Sequence, residues 1–85
     1  MKQFKYLVQI EEGVHSRPST LIVTTSKQFE SDIKIKKEDK IVDCKRMIAL
    51  MSLNIKKGDM VEVIIQGDDE EQAFIALERI FKENL

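Results

Sequence analysis

A single histidine, His15, is the residue of this sequence best suited to chemistry. A neutral imidazole, with an unperturbed pKa of about 6.5, is a competent nucleophile near neutral pH. Arg17, two residues further on, brings a planar cation that binds phosphate oxygens well. A histidine beside such a cation is a candidate to accept a phosphoryl group itself. Most lone histidines in small domains have no chemical role, so the hypothesis depends on the elements that position these two side chains.

The residues around His15 indicate a strand that turns sharply into a helix. Gly13 lacks a Cβ and permits a tight turn, and Pro18 fits the first turn of a helix, where its missing N–H removes no hydrogen bond. Ser16 or a neighbour is the expected N-cap. Because a helix N-terminus has unpaired N–H groups and a partial positive charge, it favours phosphate. The sequence therefore predicts that His15 lies beside an anion site.

Length and composition favour one ordinary globular domain over residues 1–85. Hydrophobic residues make up 42% of the sequence and charged residues 34%, which is enough for one modest core. The net charge of −1 argues against a nucleic-acid surface. The sequence has no apolar run near 18 residues, so no membrane insertion is expected, and Met1–Lys5 lacks the apolar core of a signal peptide. A cytoplasmic location is the resulting expectation.

The single cysteine, Cys44, is interpreted as a small strand residue rather than a reactive thiol. It has no partner for an internal disulfide, and one cysteine with one histidine cannot form a structural zinc site. No metal and no cofactor are therefore expected.

Alternation and helical spacing predict seven elements in the order β-α-β-β-α-β-α. The predicted strands span residues 2–10, 31–36, 41–44 and 60–66. The first two predicted helices span 16–29 and 45–53, and the last follows residues 67–69 and runs nearly to Leu85. The compact arrangement of these elements is an α+β fold, with one four-stranded sheet and the helices on one face. Strand–helix–strand units in both halves are also typical of ferredoxin-like sandwiches.

Two of the predicted helices have a clear buried face and expected caps. In the first helix, the expected buried face is Leu21, Ile22, Thr25 and Phe29. In the last helix, the expected buried stripe is Ala73, Phe74, Leu77, Ile80 and Phe81, with Asp68 or Asp69 as the N-cap.

The predicted second helix is apolar almost all round, which leaves two interpretations. Either the small protein buries most of it, or Met47, Ile48 and Met51 form an exposed patch. Methionine is flexible and polarisable, and it suits a surface that meets several partners. Asn54 can close this helix in a left-handed conformation.

Two stretches of the sequence resemble the HPr family, the histidine-containing phosphocarriers of the bacterial sugar phosphotransferase system. Residues 13–18 (GVHSRP) are similar to that family's phosphorylation-site motif, and residues 45–58 (KRMIALMSLNIKKG) to its second helix and the following turn. The element order and the length are similar over essentially the whole chain. The resemblance implies an open-faced β-sandwich, with four antiparallel strands and three helices on one face.

The resemblance also implies partners and residue roles. His15 would accept phosphate on Nδ1 from phosphorylated enzyme I and pass it to the IIA domains of sugar transporters. Arg17 would neutralise the phosphate; from its place at the helix start, Ser16 is a further candidate to bind it. Partners would contact the first helix near Thr20, and the second helix near Met47, Ile48 and Met51. The resemblance implies a monomer and a stoichiometric carrier rather than an enzyme.

This sequence departs from the family pattern at three positions. Arg46 stands where many Gram-positive members have a serine that a dedicated kinase phosphorylates, and arginine cannot accept that phosphate. Asn54 stands where the family often has glycine, and Ser16 where it often has alanine. Serine is small and can cap a helix, so little loss at the transfer site is expected.

Two other functions remain open on the sequence alone. One is an HPr-like regulatory protein that binds enzymes or regulators and has no role in sugar phosphorylation. The other is an unrelated ferredoxin-like module for a small ligand or RNA. The second requires aromatic side chains on the sheet or a basic groove, and one tyrosine, four phenylalanines and no tryptophan give it little support.

Overall fold

The computed structural model describes residues 1–11 and 16–85, and of Ser16 only the backbone. The elements are β1 (Lys2–Leu7), α1 (Ser16–Ser26), β2 (Asp32–Lys37), β3 (Lys40–Asp43), α2 (Met47–Met51), β4 (Met60–Gln66) and α3 (Glu70–Asn84). The predicted β-α-β-β-α-β-α order is confirmed. No helix among the described residues is long and apolar enough to cross a membrane.

The strands form one antiparallel sheet in the order β1-β4-β2-β3. Side chains alternate between its two faces, as the period of a strand requires. Val63 of β4 is buried and lies opposite Phe4 of β1 on one side and Ile35 of β2 on the other. On the other face, Lys5 and Lys34 are exposed. The helices cover the first face and leave the second open, as predicted.

The core lies between the sheet and the helices. The helices contribute Ile22 and Val23 from α1, Leu50 from α2, and Ala73, Leu77, Ile80 and Phe81 from α3. The ring of Phe81 packs edge-on against Phe4 and Tyr6, with centroids 5.6 and 5.7 Å apart. Such edge-to-face pairs add to the hydrophobic burial and fix α3 against β1.

Several predicted element boundaries differ from those in the structure. β1 ends at Leu7 rather than residue 10, because its partner β4 begins at Met60, and Val8 donates instead to the carbonyl of Asp59 in the preceding turn. α1 ends at Ser26 rather than residue 29, where the chain tightens into bonds between residues three apart. α2 covers 47–51 rather than 45–53. β2 and β3 are shifted by one residue, and β4 matches its predicted bounds.

The predicted buried face of α1 was wrong in part. Leu21 is 40% exposed, and the residues that face the core are Ser19, Ile22, Val23 and Ser26. These residues follow the spacing i, i+3, i+4, i+7 of one helix face. The error came from assigning the large leucine to the core in place of two small serines, although small residues suit a helix that packs closely on its neighbours. α1 contacts both α2 and α3.

The prediction of the α3 N-cap was correct in the residue, but the expected capping hydrogen bond is not made. Asp69 is the N-cap residue, yet its side chain makes no capping hydrogen bond. Glu70 closes the start of the helix instead, because its Oε1 accepts a hydrogen bond of 3.1 Å from the N–H of Gly67. At the C-terminal side of α2, Asn54 has φ of 52°, the left-handed conformation that was predicted.

Candidate functional site

His15 and the turn at Gly13 lie outside the described residues, so the predicted position of the imidazole is not part of the structural description. Ser16 is already the first helical residue of α1, and the position before it, where a cap would stand, also lies outside that description. The described part of the site therefore begins at Arg17.

The outward face of α1 carries Arg17, Thr20, Leu21 and Thr24. Arg17 is exposed in the first turn, and the other three follow it at the spacing i+3, i+4 and i+7. Thr24 Oγ1 donates to the carbonyl oxygen of Thr20 at 2.8 Å. A guanidinium, two hydroxyls and one apolar side chain thus share a face that points away from the core.

Leu21 is a member of this face that the sequence reasoning missed. Its exposed fraction of 40% is large for a leucine on a helix that packs on a core. Counting in helical steps from Arg17 would have found it, since Leu21 lies one turn after Arg17. The positions of the same helix that face the core begin at Ser19.

Small side chains position α1. Ser19 and Ser26 are fully buried, and within the described parts of the chain neither hydroxyl oxygen has a hydrogen-bond partner. The burial of Ile22 and Val23 holds this face of the helix on the core. An unpartnered buried hydroxyl is unfavourable, so both serines reduce the stability of this layer.

α2 exposes two large apolar side chains. Ile48 is 86% exposed and Met51 is 42% exposed, whereas Met47 is half-buried against the core. Leu50 is fully buried and anchors the helix. The exposed-patch interpretation of this helix is therefore correct for Ile48 and Met51, which lie three residues apart on one face. Exposed apolar side chains in such an arrangement mark interaction surfaces.

Cations surround the start of α2. A shallow groove of about 570 Å³ is lined by Lys27, Lys45, Arg46, Met47, Ile48, Ala49 and Ser52. Arg46 is the N-cap residue of α2, it is exposed, and its side chain makes no capping hydrogen bond. Lys45 Nζ donates to the carbonyl oxygen of Phe29 at 2.8 Å and ties this end of α2 to the loop after α1. None of the described residues that line the groove is acidic, so this lining favours an anionic or acidic partner.

Cys44 has no place in this chemistry. It is fully buried directly after β3, as a small core residue. Burial, with the neighbouring charge of Asp43, raises the pKa of the Cys44 thiol far above its usual range. The thiolate is therefore not populated at neutral pH. Among residues 1–11 and 16–85, no group of three or more histidine, cysteine or acidic side chains could hold a metal ion.

A family described as "PTS HPr component phosphorylation site" matches residues 2–83, nearly the whole chain. This chain belongs to the HPr family. The family is one of phosphocarriers rather than of enzymes, and the fold described above is the HPr fold. The ferredoxin-like alternative is thereby excluded.

Solved structures of HPr proteins agree closely with this chain. HPr-C-His from Thermoanaerobacter tengcongensis is 35% identical, with a TM-score of 0.92 over 98% of this chain and 93% of that chain. The phosphocarrier protein HPr from Bacillus anthracis is 34% identical, with a TM-score of 0.86 over 94% of this chain and 95% of that chain.

A third similar structure is that of a relative with a different name. The Bacillus subtilis catabolite repression containing protein Crh is 35% identical, with a TM-score of 0.77 over 100% of this chain and 98% of that chain. That protein was solved as a domain-swapped dimer. Its identity to this chain equals that of the Thermoanaerobacter HPr.

Proposed function

We propose that this chain is a phosphocarrier of the sugar phosphotransferase system, which accepts phosphate on His15 from phosphorylated enzyme I and passes it to IIA domains. The observation that carries the proposal is the family match over residues 2–83, whose description names a phosphorylation site. His15 is the only histidine within it. We treat residues 1–85 as one HPr-like domain that acts as a cytoplasmic monomer.

The proposed transfer exchanges one phosphorus–nitrogen bond for another. The Nδ1 lone pair of neutral His15 attacks phosphorus in line, and the bond from phosphorus to the donor's histidine nitrogen breaks as the new bond forms. The donor imidazole carries a proton on its other ring nitrogen and leaves neutral, while His15 keeps its Nε2 proton and takes over the positive ring charge, so no further proton has to be supplied. Such a transfer depends on positioning and charge neutralisation. In the second transfer His15 is the leaving group.

Arg17 is proposed to neutralise the phosphoryl group, together with Ser16 and the N–H groups at the start of α1. Its exposed position in the first helical turn supports this role, because a carrier must release its phosphate as readily as it accepts it. A guanidinium on the surface binds phosphate reversibly.

The proposed partner surface joins the outward face of α1 with that of α2, through Thr20, Met47, Ile48 and Met51. Apolar side chains in the middle and cations at the edge fit a transient contact with partners that carry acidic residues. A surface used by donor and acceptor in turn is expected to be small.

The transfer step is tested by incubating the protein with enzyme I and phosphoenolpyruvate. We expect one acid-labile phosphate on His15, and none in the His15→Ala variant. Arg17→Gln should slow labelling about 100-fold, the usual effect of removing a group that stabilises transferred charge. Full labelling of His15→Ala, or no labelling of the wild type, would refute the proposal.

The partner surface is tested with a matched pair of exposed isoleucines. Ile48 on α2 is 86% exposed and Ile75 on α3 is 64% exposed. Ile48→Asp should raise the KM of enzyme I for this protein at least about tenfold, because it places an acid at the centre of the proposed contact. Ile75→Asp should leave it unchanged. Equal effects of both substitutions would argue against α2 as the docking helix.

The similarity to Crh supports a second candidate, a regulatory protein that binds enzymes or regulators without moving phosphate to sugars. Arg46 lacks a hydroxyl and therefore argues against a serine switch at this position. Transfer of phosphate from labelled protein to purified IIA domains separates the two functions. Binding without transfer would favour the regulatory one. Sedimentation of the free protein tests the proposed monomer.

A further inference from the structure

Lys37, the last residue of β2, connects the sheet with the end of α2. It continues the inward-facing row of Ile33 and Ile35, and its side chain is only 18% exposed. Its Nζ donates to the carbonyl oxygens of Leu53 at 3.2 Å and Asn54 at 2.9 Å. It also pairs with the carboxylate of Asp59 at 2.9 Å.

These contacts supply what α2 lacks by itself. The helix has five residues, far fewer than an isolated helix needs to be stable. The last carbonyl groups of α2 itself already accept hydrogen bonds from residues 52–54. Lys37 instead satisfies two carbonyl groups beyond the helix, those of Leu53 and Asn54, and so holds the segment that follows α2 against the sheet.

Asp59 extends the connection to β1. Its Oδ2 also accepts a hydrogen bond of 2.8 Å from the N–H of Lys56, which closes the 56–59 turn. The turn is then bonded to Val8 by two backbone hydrogen bonds of 2.9 Å, one from Val8 to Asp59 and one from Gly58 to Val8. The hydrogen bond from Lys37 lowers the pKa of Asp59, so the carboxylate stays charged at neutral pH.

We propose that Lys37 and Asp59 form a clamp that fixes the exposed face of α2 relative to the end of β1, and so sets the affinity with which the phosphate donor docks. Val8 directly follows β1, so the clamp links the docking helix with the end of that strand. Both residues are positioning residues and touch neither phosphate nor partner. The inference rests on the proposed function for its docking partner.

The rest of the structure holds α2 without the clamp. Leu50, Leu53 and Ile55 are buried, and Lys45 ties the other end of the helix to Phe29. Loss of the clamp is therefore expected to loosen one end of α2 and leave the fold intact. This distinguishes a positioning role from a general structural one.

The test uses Lys37→Met, which keeps the length of the side chain and removes its charge, and Asp59→Asn, which keeps its shape. Lys34→Met is the matched control, since Lys34 lies on the same strand but is exposed on the open face. Three quantities are measured: the Kd for unphosphorylated enzyme I by calorimetry, the labelling of His15 at saturating enzyme I, and amide hydrogen exchange.

We expect Lys37→Met and Asp59→Asn to raise the Kd for enzyme I about tenfold, with labelling at saturation unchanged. Exchange at the amides of Val8, Asn54 and Gly58 should accelerate about tenfold, while the amide of Val63 in the core keeps its wild-type rate. Lys34→Met should match the wild type throughout.

Other outcomes overturn the clamp. Unchanged Kd refutes a role in docking even if exchange accelerates, and faster exchange at Val63 as well shows general destabilisation. If the wild type binds enzyme I and Lys37→Met weakens that binding, but His15 is not labelled, the phosphocarrier function is refuted and the clamp is supported. A wild type that does not bind enzyme I refutes both.

Discussion

The carboxylate of Asp69 accepts hydrogen bonds from both the backbone N–H of Ser31, at 3.0 Å, and its hydroxyl. It also accepts one of 2.9 Å from the N–H of Glu30. Asp69 stands at the start of α3, whereas Ser31 lies in the loop between α1 and β2. The Asp69 side chain thus bonds to a loop 38 residues away in sequence instead of capping its own helix.

This contact predicts a dependence of stability on pH. The hydrogen bond from the Ser31 hydroxyl, followed by that from the Glu30 N–H, lowers the pKa of Asp69. The stabilisation is therefore fully present above the unfolded-state pKa of about 3.9 and is lost as pH falls through the lower folded-state value. Asp69→Asn should lower the unfolding temperature at pH 7 and reduce its further decrease below about pH 4.

The matched control is Asp68→Asn, because Asp68 is the exposed neighbour. Thermal unfolding followed by circular dichroism from neutral to acid pH compares the three proteins. A wild-type pH profile retained in Asp69→Asn would contradict the assignment.

Substitution by alanine is expected to lower the free energy of unfolding by different amounts at Gly67 and Gly58. A Cβ on Gly67 would lie 2.5 Å from Ser31 Oγ and 2.6 Å from Ser31 Cα, whereas a Cβ on Gly58 would have nothing within 4 Å. Gly58 has φ of +90°, so alanine there is strained but not crowded, at a cost of about 1–2 kcal/mol. Gly67→Ala should lower the free energy of unfolding by more than that, about 3 kcal/mol or above.

Urea denaturation of both glycine variants measures this difference. The comparison depends on the close approach of the backbone at Ser31, which is also the residue that Asp69 holds. Equal costs at the two positions would mean that the loop moves away freely when Gly67 is replaced.

Ser26→Ala is expected to stabilise the protein. The Ser26 hydroxyl is buried and, within residues 1–11 and 16–85, has no hydrogen-bond partner, and alanine is the better helix former. The free energy of unfolding should rise by about 1 kcal/mol in chemical denaturation. Ser52→Ala is the control, since Ser52 is exposed and donates to the carbonyl oxygen of Ala49 at 2.6 Å; it should change stability by less than about 0.5 kcal/mol. A destabilised Ser26→Ala would indicate that the hydroxyl has a partner in solution.

Cys44 should react with a thiol reagent only when the protein opens. It is fully buried, and its raised pKa keeps the thiol protonated at neutral pH. Modification by an aromatic disulfide reagent should be at least about 1,000-fold slower in buffer than in denaturant, and its rate should follow the population of unfolded molecules. Rapid modification of the native protein would contradict the burial of this residue.

Local sequence was sufficient for the order of the elements. Alternation alone placed β4 at its observed bounds, and the apolar stripe of α3 is buried at Ala73, Leu77, Ile80 and Phe81, with Phe74 half-buried against it. Strands and helices have periods of 2 and 3.6 residues that short segments reveal by themselves. Element ends were less accurate, because β1 stops where its partner strand stops, and that partner lies far along the chain.

By itself, the sequence determined the element order and the resemblance to HPr that the family match bears out. Only the tertiary structure decided that Leu21 faces outward while Ser19 and Ser26 are buried, and that Ile48 is exposed. It also decided that Asp69 bonds to Ser31 and that Lys37 bonds to the segment that follows α2. These contacts join residues 16 to 38 positions apart, and no local period encodes them, because they depend on how closely the packed layers approach one another.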